Sequence, residues 1–181
     1  MKKELFLSFN PKYFKPLLYG LKKYEYRKRF CDEETIAYLY LSQKIQKVIG
    51  IVELGTPLKL ENVIKELDSD SDVFRRVDNY LRKGNKNAVP IKSLQLFKRS
   101  ISLDEIRKEI PNFRPPQMYY LLDNHQKLQD LMHKQEVDKV LLVHDHEKIY
   151  LDNLALSCRE IEQTEKYKSI DRKFNHDKKI N

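Results

Sequence analysis

Short stretches in which apolar and polar positions alternate at period two recur through the first third of the chain, weakly in the first and clearly at Lys23–Phe30 and in TIAYLYLS. Glu4–Phe9 (ELFLSF) alternates and stops at Asn10-Pro11, which predicts a strand running into a turn. In PKYFKPLLYG, Phe14, Leu17 and Leu18 fall at helical spacing. Pro16 keeps that helix short or kinked, and Gly20 suits its C-terminal cap. Period two then returns over Lys23–Phe30: Tyr24, Tyr26, Lys28 and Phe30 share one face, and Lys23, Glu25, Arg27 and Arg29 the other. TIAYLYLS and KVIGIVELG are the two clearest strands, with Gly50 inside the second, as at a sharp bend or a close backbone approach. Several short strands in succession predict a barrel or a strongly curved sheet.

Helical spacing takes over at about residues 59–84. Leu60, Val63, Ile64 and Leu67 form one stripe, and DSDVFRRVDNYLRKG opens on cap-competent Asp and Ser and closes at Gly84. GNKNAVP reads as a loop and IKSLQLFKRS as a strand. Ser102 with Glu105 three positions later forms a capping-box pattern, and two adjacent prolines force PNFRPPQ to be extended. Beyond Leu122 the chain changes character. NHQKLQDLMHKQ is amphipathic, with Leu128, Leu131 and Met132 inward, and KVLLVHDHEKIYL is strand-like on both sides of His144-Asp145-His146. The last stretch, from about residue 165, is polar without periodicity and reads as a flexible tail. The expected organisation is a β-rich domain over residues 1–122, with its helical insert, and an accessory segment over residues 123–181.

Charge changes this picture. The net charge is +8, and the first sixty residues hold twelve Lys and Arg against six Asp and Glu. Such a basic concentration points to a polyanionic partner. No apolar run is long enough for a membrane span or a signal-peptide core, so no membrane partner is expected. Cys31 and Cys158 show neither paired nor metal-ligand spacing, which fits a reduced, cytoplasmic setting. His144 and His146 share a strand face but have no third ligand at a recognisable spacing, so neither metal nor cofactor is expected. Arg75, Arg76, Arg82 and Lys83 in the insert either extend a basic surface or form a solvated outer face.

The stretch GLKKYEYR has the form G-x-K-x-x-E-x-R, with Gly20, Lys22, Glu25 and Arg27 in its fixed places. It follows FLSFNPKYFKPLLYG and precedes LYLSQKIQKVIGIVEL, and SLQLFKRSISLDEIRKEIPNFRPPQMYYLL comes later. In this order, over about residues 4–122, the chain resembles the ASCH family of the PUA-like superfamily. The resemblance implies an α+β fold: a PUA-like mixed β-barrel with peripheral helices, here followed by the accessory segment.

It also implies a cleft for RNA or a nucleotide. Lys22, Glu25 and Arg27 would bind the ligand, Gly20 would form the turn that presents them, and Lys12, Lys23, Lys28 and Arg29 would contact phosphates. A Glu25–Arg27 ion pair that merely locks the barrel accounts for the same residues. Some ASCH-like proteins are described as amidohydrolases of acetylated cytidine or as ribonucleases. The resemblance then implies Lys22, Glu25 and Glu53 as catalytic candidates, although Glu25 stands where the amidohydrolases have a Thr. A protein-interaction module, with a partner recruited by residues 123–181, is the third reading.

Overall fold

The computed structural model describes residues 2–177. In chain order the elements are β1 (Lys3–Phe9), α1 (Phe14–Leu18), β2 (Tyr24–Arg27), β3 (Thr35–Leu41), β4 (Lys47–Leu54) and β5 (Leu58–Lys59). The insert follows as α2 (Leu60–Val63) and α3 (Asp72–Arg82), then β6 (Asn87–Ser102), α4 (Leu103–Glu109) and β7 (Tyr119–Leu121). The remainder is α5 (Gln126–His133), β8 (Val137–Val143), α6 (Cys158–Gln163) and α7 (Glu165–Asp177). The strands form one mixed, curled sheet in the order β2-β6-β4-β3-β1-β7, with β5 and β8 also paired to β6. Only the β1–β3 pair is parallel among these strands. This is the expected α+β architecture of a barrel-like sheet with peripheral helices.

Alternation along each strand sorts the core into layers. Leu5, Leu7 and Phe9 of β1, Leu39 of β3, Val52 of β4 and Val89 of β6 fill the concave side, where Leu17 of α1 joins them. Phe6, Tyr38, Phe97 and Ile101 point the other way and are covered by Ile106 of α4 and by Leu128 and Met132 of α5. A third cluster sits outside β2: Tyr24 and Ala88 meet Val77 of α3 and Leu154 and Ala155 of the C-terminal segment. The insert and the C-terminal segment thus cover the same outer patch.

Two glycines are placed where a side chain would not fit easily. Gly20 has φ +68° as α1 turns into the approach to β2. At Gly50 a Cβ would stand 2.2 Å from the Gln95 carbonyl oxygen, because β4 passes hard against β6. The Ser102–Glu105 capping box is formed at the start of α4.

Several expectations are corrected. Strand β2 ends at Arg27, so Phe30 leaves the Tyr24 face and enters the concave core. NAVP is not a loop: it is the first part of β6, and Pro90 sits where that strand changes partners from β2 and β5 to β4 and β8. Only one side of the His-Asp-His segment is a strand, β8. The stretch expected as a flexible tail forms α7 as far as Asp177, because Tyr167 and Ile170 pack with Tyr19 and Leu21. The remaining residues, 178–181, lie outside the described residues. Among the described residues no helix is long and apolar enough to cross a membrane.

Candidate functional site

Local chain geometry delivers the motif side chains to one place. At the end of β1, the Asn10 side chain accepts from Lys12 N at 3.0 Å, and Pro11 opens a 3-10 turn through Tyr13. Phe14 and Leu17 turn inward, leaving Tyr13 40% exposed. After the Gly20 turn, Lys22 N donates to the Pro16 carbonyl at 3.0 Å, which ties the backbone of Lys22 to α1. The Lys22 side chain is buried, and Nζ donates to the Tyr24 carbonyl at 2.8 Å.

Alternation in β2 sends Tyr24 and Tyr26 outward and Glu25 and Arg27 to the concave side, opposite Val89 and Asn87 of β6. Glu25 Oε2 lies 3.1 Å from Lys22 Nζ and Oε1 lies 3.0 Å from Arg27 Nε. Burial pushes the Glu25 carboxyl up, but attraction to Lys22 and Arg27 outweighs it and holds the group below the ordinary carboxylate range. Arg27 Nη2 donates to the Ser8 carbonyl at 3.2 Å. The short contact of Arg27 Nε with Glu25 is not aligned as a hydrogen bond, so Nε is a buried donor without an acceptor. Behind this row, the Tyr26 oxygen accepts from Ala155 N at 2.6 Å and its ring lies 4.5 Å from that of Tyr80. Burial raises the Tyr26 phenol well above its ordinary value.

The three charges form the floor of a trough along the seam where the curled sheet does not close, with β2 on one bank and the end of β1 on the other. One half, of about 470 Å³, is bordered by Ser8, Asn10, Ser42, Pro116 and Gln117. The other, of about 580 Å³, is bordered by Tyr80, Lys83, Asn85, Ser157 and Arg159. Tyr13, Glu25 and Tyr26 belong to both. Ser8 fixes the far bank: its N–H donates to the Met118 carbonyl at 2.9 Å and its hydroxyl to the Pro116 carbonyl at 2.6 Å.

Lys22, Glu25 and Arg27 are therefore brought together as expected, while the other candidates scatter. Lys12 stands on the lip, 6.0 Å from the centre of the Tyr13 ring. Lys28 and Arg29 are exposed just beyond β2, and the Lys28 stem runs beside Gly84. Lys23 is not at the trough. Its ammonium lies 4.5 Å from the Tyr150 ring centre, beside a separate small cavity, and burial followed by repulsion from Lys166 lowers its pKa.

Glu53 is also elsewhere. Val52 and Leu54 point into the core, so Glu53 takes the opposite face of β4, where it pairs with Lys2. A catalytic set of Lys22, Glu25 and Glu53 is not assembled. Missed in the sequence were Tyr13, Asn85, Ser157 and Arg159. Tyr13 had a local signal, an aromatic beside an Asn-Pro turn whose neighbour Phe14 takes the core position. Ser157 and Arg159 reach the trough only by tertiary folding, which no local pattern encodes.

The His-Asp-His segment lies at another cavity, with Glu53, Lys92 and Ser93. His144 is buried with Nδ1 2.8 Å from the Ile91 carbonyl and Nε2 3.1 Å from that of Gly20, and His146 Nε2 is 2.9 Å from the same Ile91 oxygen. Burial lowers both imidazole pKa values. Among the described residues no group of three or more His, Cys, Asp or Glu side chains is placed to hold a metal ion.

Solved structures with a similar chain path include ASCH proteins from Zymomonas mobilis. Two single-residue mutants of ZmASCH superpose with TM-scores of 0.54 and 0.53, each at 22% identity. They cover 75% of this chain and 98% and 100% of their own. A third structure, of ASCH from the same organism, gives a TM-score of 0.53 at 22% identity over 74% of this chain and 96% of its own. The fold is that of an ASCH domain. No protein-family model and no curated protein matches the chain in sequence. In this ASCH fold, the seam between β1 and β2 carries the G-x-K-x-x-E-x-R residues.

Proposed function

We propose that this ASCH-fold protein binds nucleic acid, RNA in the first place, in the trough over Lys22, Glu25 and Arg27. The observation that carries the reading is the contrast between floor and lip. On the floor both cations are paired with the one Glu25 carboxylate, leaving a single positive charge, whereas Lys12 beside Tyr13 and Lys83 and Arg159 on the bank have no carboxylate partner among the described residues. Uncompensated cations around a cleft favour a polyanion, and an exposed Tyr13 ring between the two halves offers a stacking face. An ionised Glu25 can accept from a base amino group. A carboxyl held ionised near neutrality suits such a receptor better than it suits a proton donor, so binding is favoured over acid–base hydrolysis.

The test is a titration of short RNAs against wild type and Tyr13→Ala at two salt concentrations, with every sample inspected for cleavage. Binding should weaken as salt rises, the RNA should stay intact, and Tyr13→Ala should bind roughly 5- to 150-fold more weakly. RNA cut by wild type, or no retention at low salt, would overturn the proposal.

A further inference from the structure

The two halves of the trough differ in chemistry. Beyond the paired Glu25 and Arg27, the Ser8–Gln117 half is lined by neutral hydroxyl and amide groups: Ser8 and Ser42 donate to the Pro116 and Phe9 carbonyls and keep acceptor lone pairs, Asn10 accepts from Lys12 N, and Gln117 is exposed. The opposite half presents Lys83, Asn85, Ser157 and Arg159, with Lys22 at its floor. The neighbours of Lys83 on α3 sharpen the contrast. Arg82 is paired with Asp78 at 2.7 Å, Arg75 with Asp72, and Arg76 donates to the Leu151 and Leu154 carbonyls. Lys83, which faces the trough, has no such partner among the described residues. On α6, Glu160 is occupied by its capping box with Ser157 and leaves Arg159 uncompensated.

Resting on the RNA-binding reading, we infer that the trough imposes an orientation: the Lys83–Arg159 half holds backbone phosphate, and the Ser8–Gln117 half receives a base. The ligand is then a single strand of at least two nucleotides. A base in a duplex keeps its edge paired and cannot enter the neutral half, whereas a splayed base from a single strand presents its edge to Gln117 and Ser42 and its face to Tyr13. Lys83 and Arg159 come from the insert and the C-terminal segment, so both additions to the sheet have a share in holding ligand.

The experiment measures fluorescence anisotropy of labelled homopolymeric single-stranded RNAs and of a hairpin across a salt series. Wild type is compared with Lys83→Ala/Arg159→Ala and with Gln117→Leu, all exposed positions whose replacement leaves the core intact. The double variant should flatten the slope of log K against log salt by about 1.4, two contacts at roughly 0.7 each on a single strand. It should do so equally for every homopolymer. Gln117→Leu should change the ranking among homopolymers and leave the slope alone, and wild type should prefer single strands to the hairpin. An unchanged slope in the double variant, a uniform loss in Gln117→Leu, or a preference for the hairpin would overturn the orientation. Loss of all RNA binding by wild type would instead remove the function on which it rests.

Discussion

Arg27 on β2 donates from Nη2 to the Ser8 carbonyl on β1 at 3.2 Å, although four strands separate β2 from β7 and three separate it from β1 in the sheet order. This bond spans the open seam. The same guanidinium touches Glu25, so one side chain both ties the banks together and sets the charge of the floor.

The Lys22–Glu25–Arg27 row should behave as a unit in stability measurements. Glu25→Leu leaves two buried cations facing each other and should cost about 3–5 kcal/mol by urea denaturation. The fully apolar Lys22→Met/Glu25→Leu/Arg27→Met variant should recover much of that loss, because no charge is left stranded. Equal losses in the two variants would show that the row does not act through its charges.

Acid should weaken the fold through the same carboxyl. Glu25 has a lower pKa folded than unfolded, so its contribution is complete above the unfolded carboxyl value of about 4.3 and is lost as pH falls through the folded value. Denaturation midpoints taken from neutrality downward should fall more steeply for wild type than for Glu25→Gln. Parallel curves would contradict this.

The two glycines should respond differently to alanine. At Gly20 a Cβ has ordinary van der Waals space and the cost is the positive φ, about 1 kcal/mol. At Gly50 the Cβ would strike backbone of β6, and the loss should reach about 3 kcal/mol or abolish folding. Thermal melts of both variants decide it.

Cutting the chain after residue 122 should yield insoluble protein. The truncation removes Leu128 and Met132 from over Phe6 and Tyr38, and Leu154 and Ala155 from over Tyr24. A soluble fragment with a cooperative melt would show that the sheet stands without this cover.

The motif was legible because period two is a local property: Glu25 and Arg27 had to share a face wherever β2 lay. Its surroundings were less so. Lys23 belongs by alternation to the Glu25 face, yet the strand begins only at Tyr24, and Asn153 captures the Lys23 N–H at 2.9 Å and leads it away from the trough. Glu53 was a plausible partner only while the facing of β4 was unknown; Val52 and Leu54 settle it. The α7 helix lacks a broad apolar stripe, and its few anchors, Tyr167 and Ile170, become visible as such only once Tyr19 and Leu21 are there to receive them.

Strand β6 pairs with β2, β4, β5 and β8. During synthesis, β2, β5 and the far edge of β4 therefore have no partner until residues 87–102 leave the ribosome. A nascent chain held just short of that point would carry these unsatisfied strand borders, the condition under which chains stick to one another. Recruitment of chaperones should accordingly peak at that length and drop once β6 is free to pair.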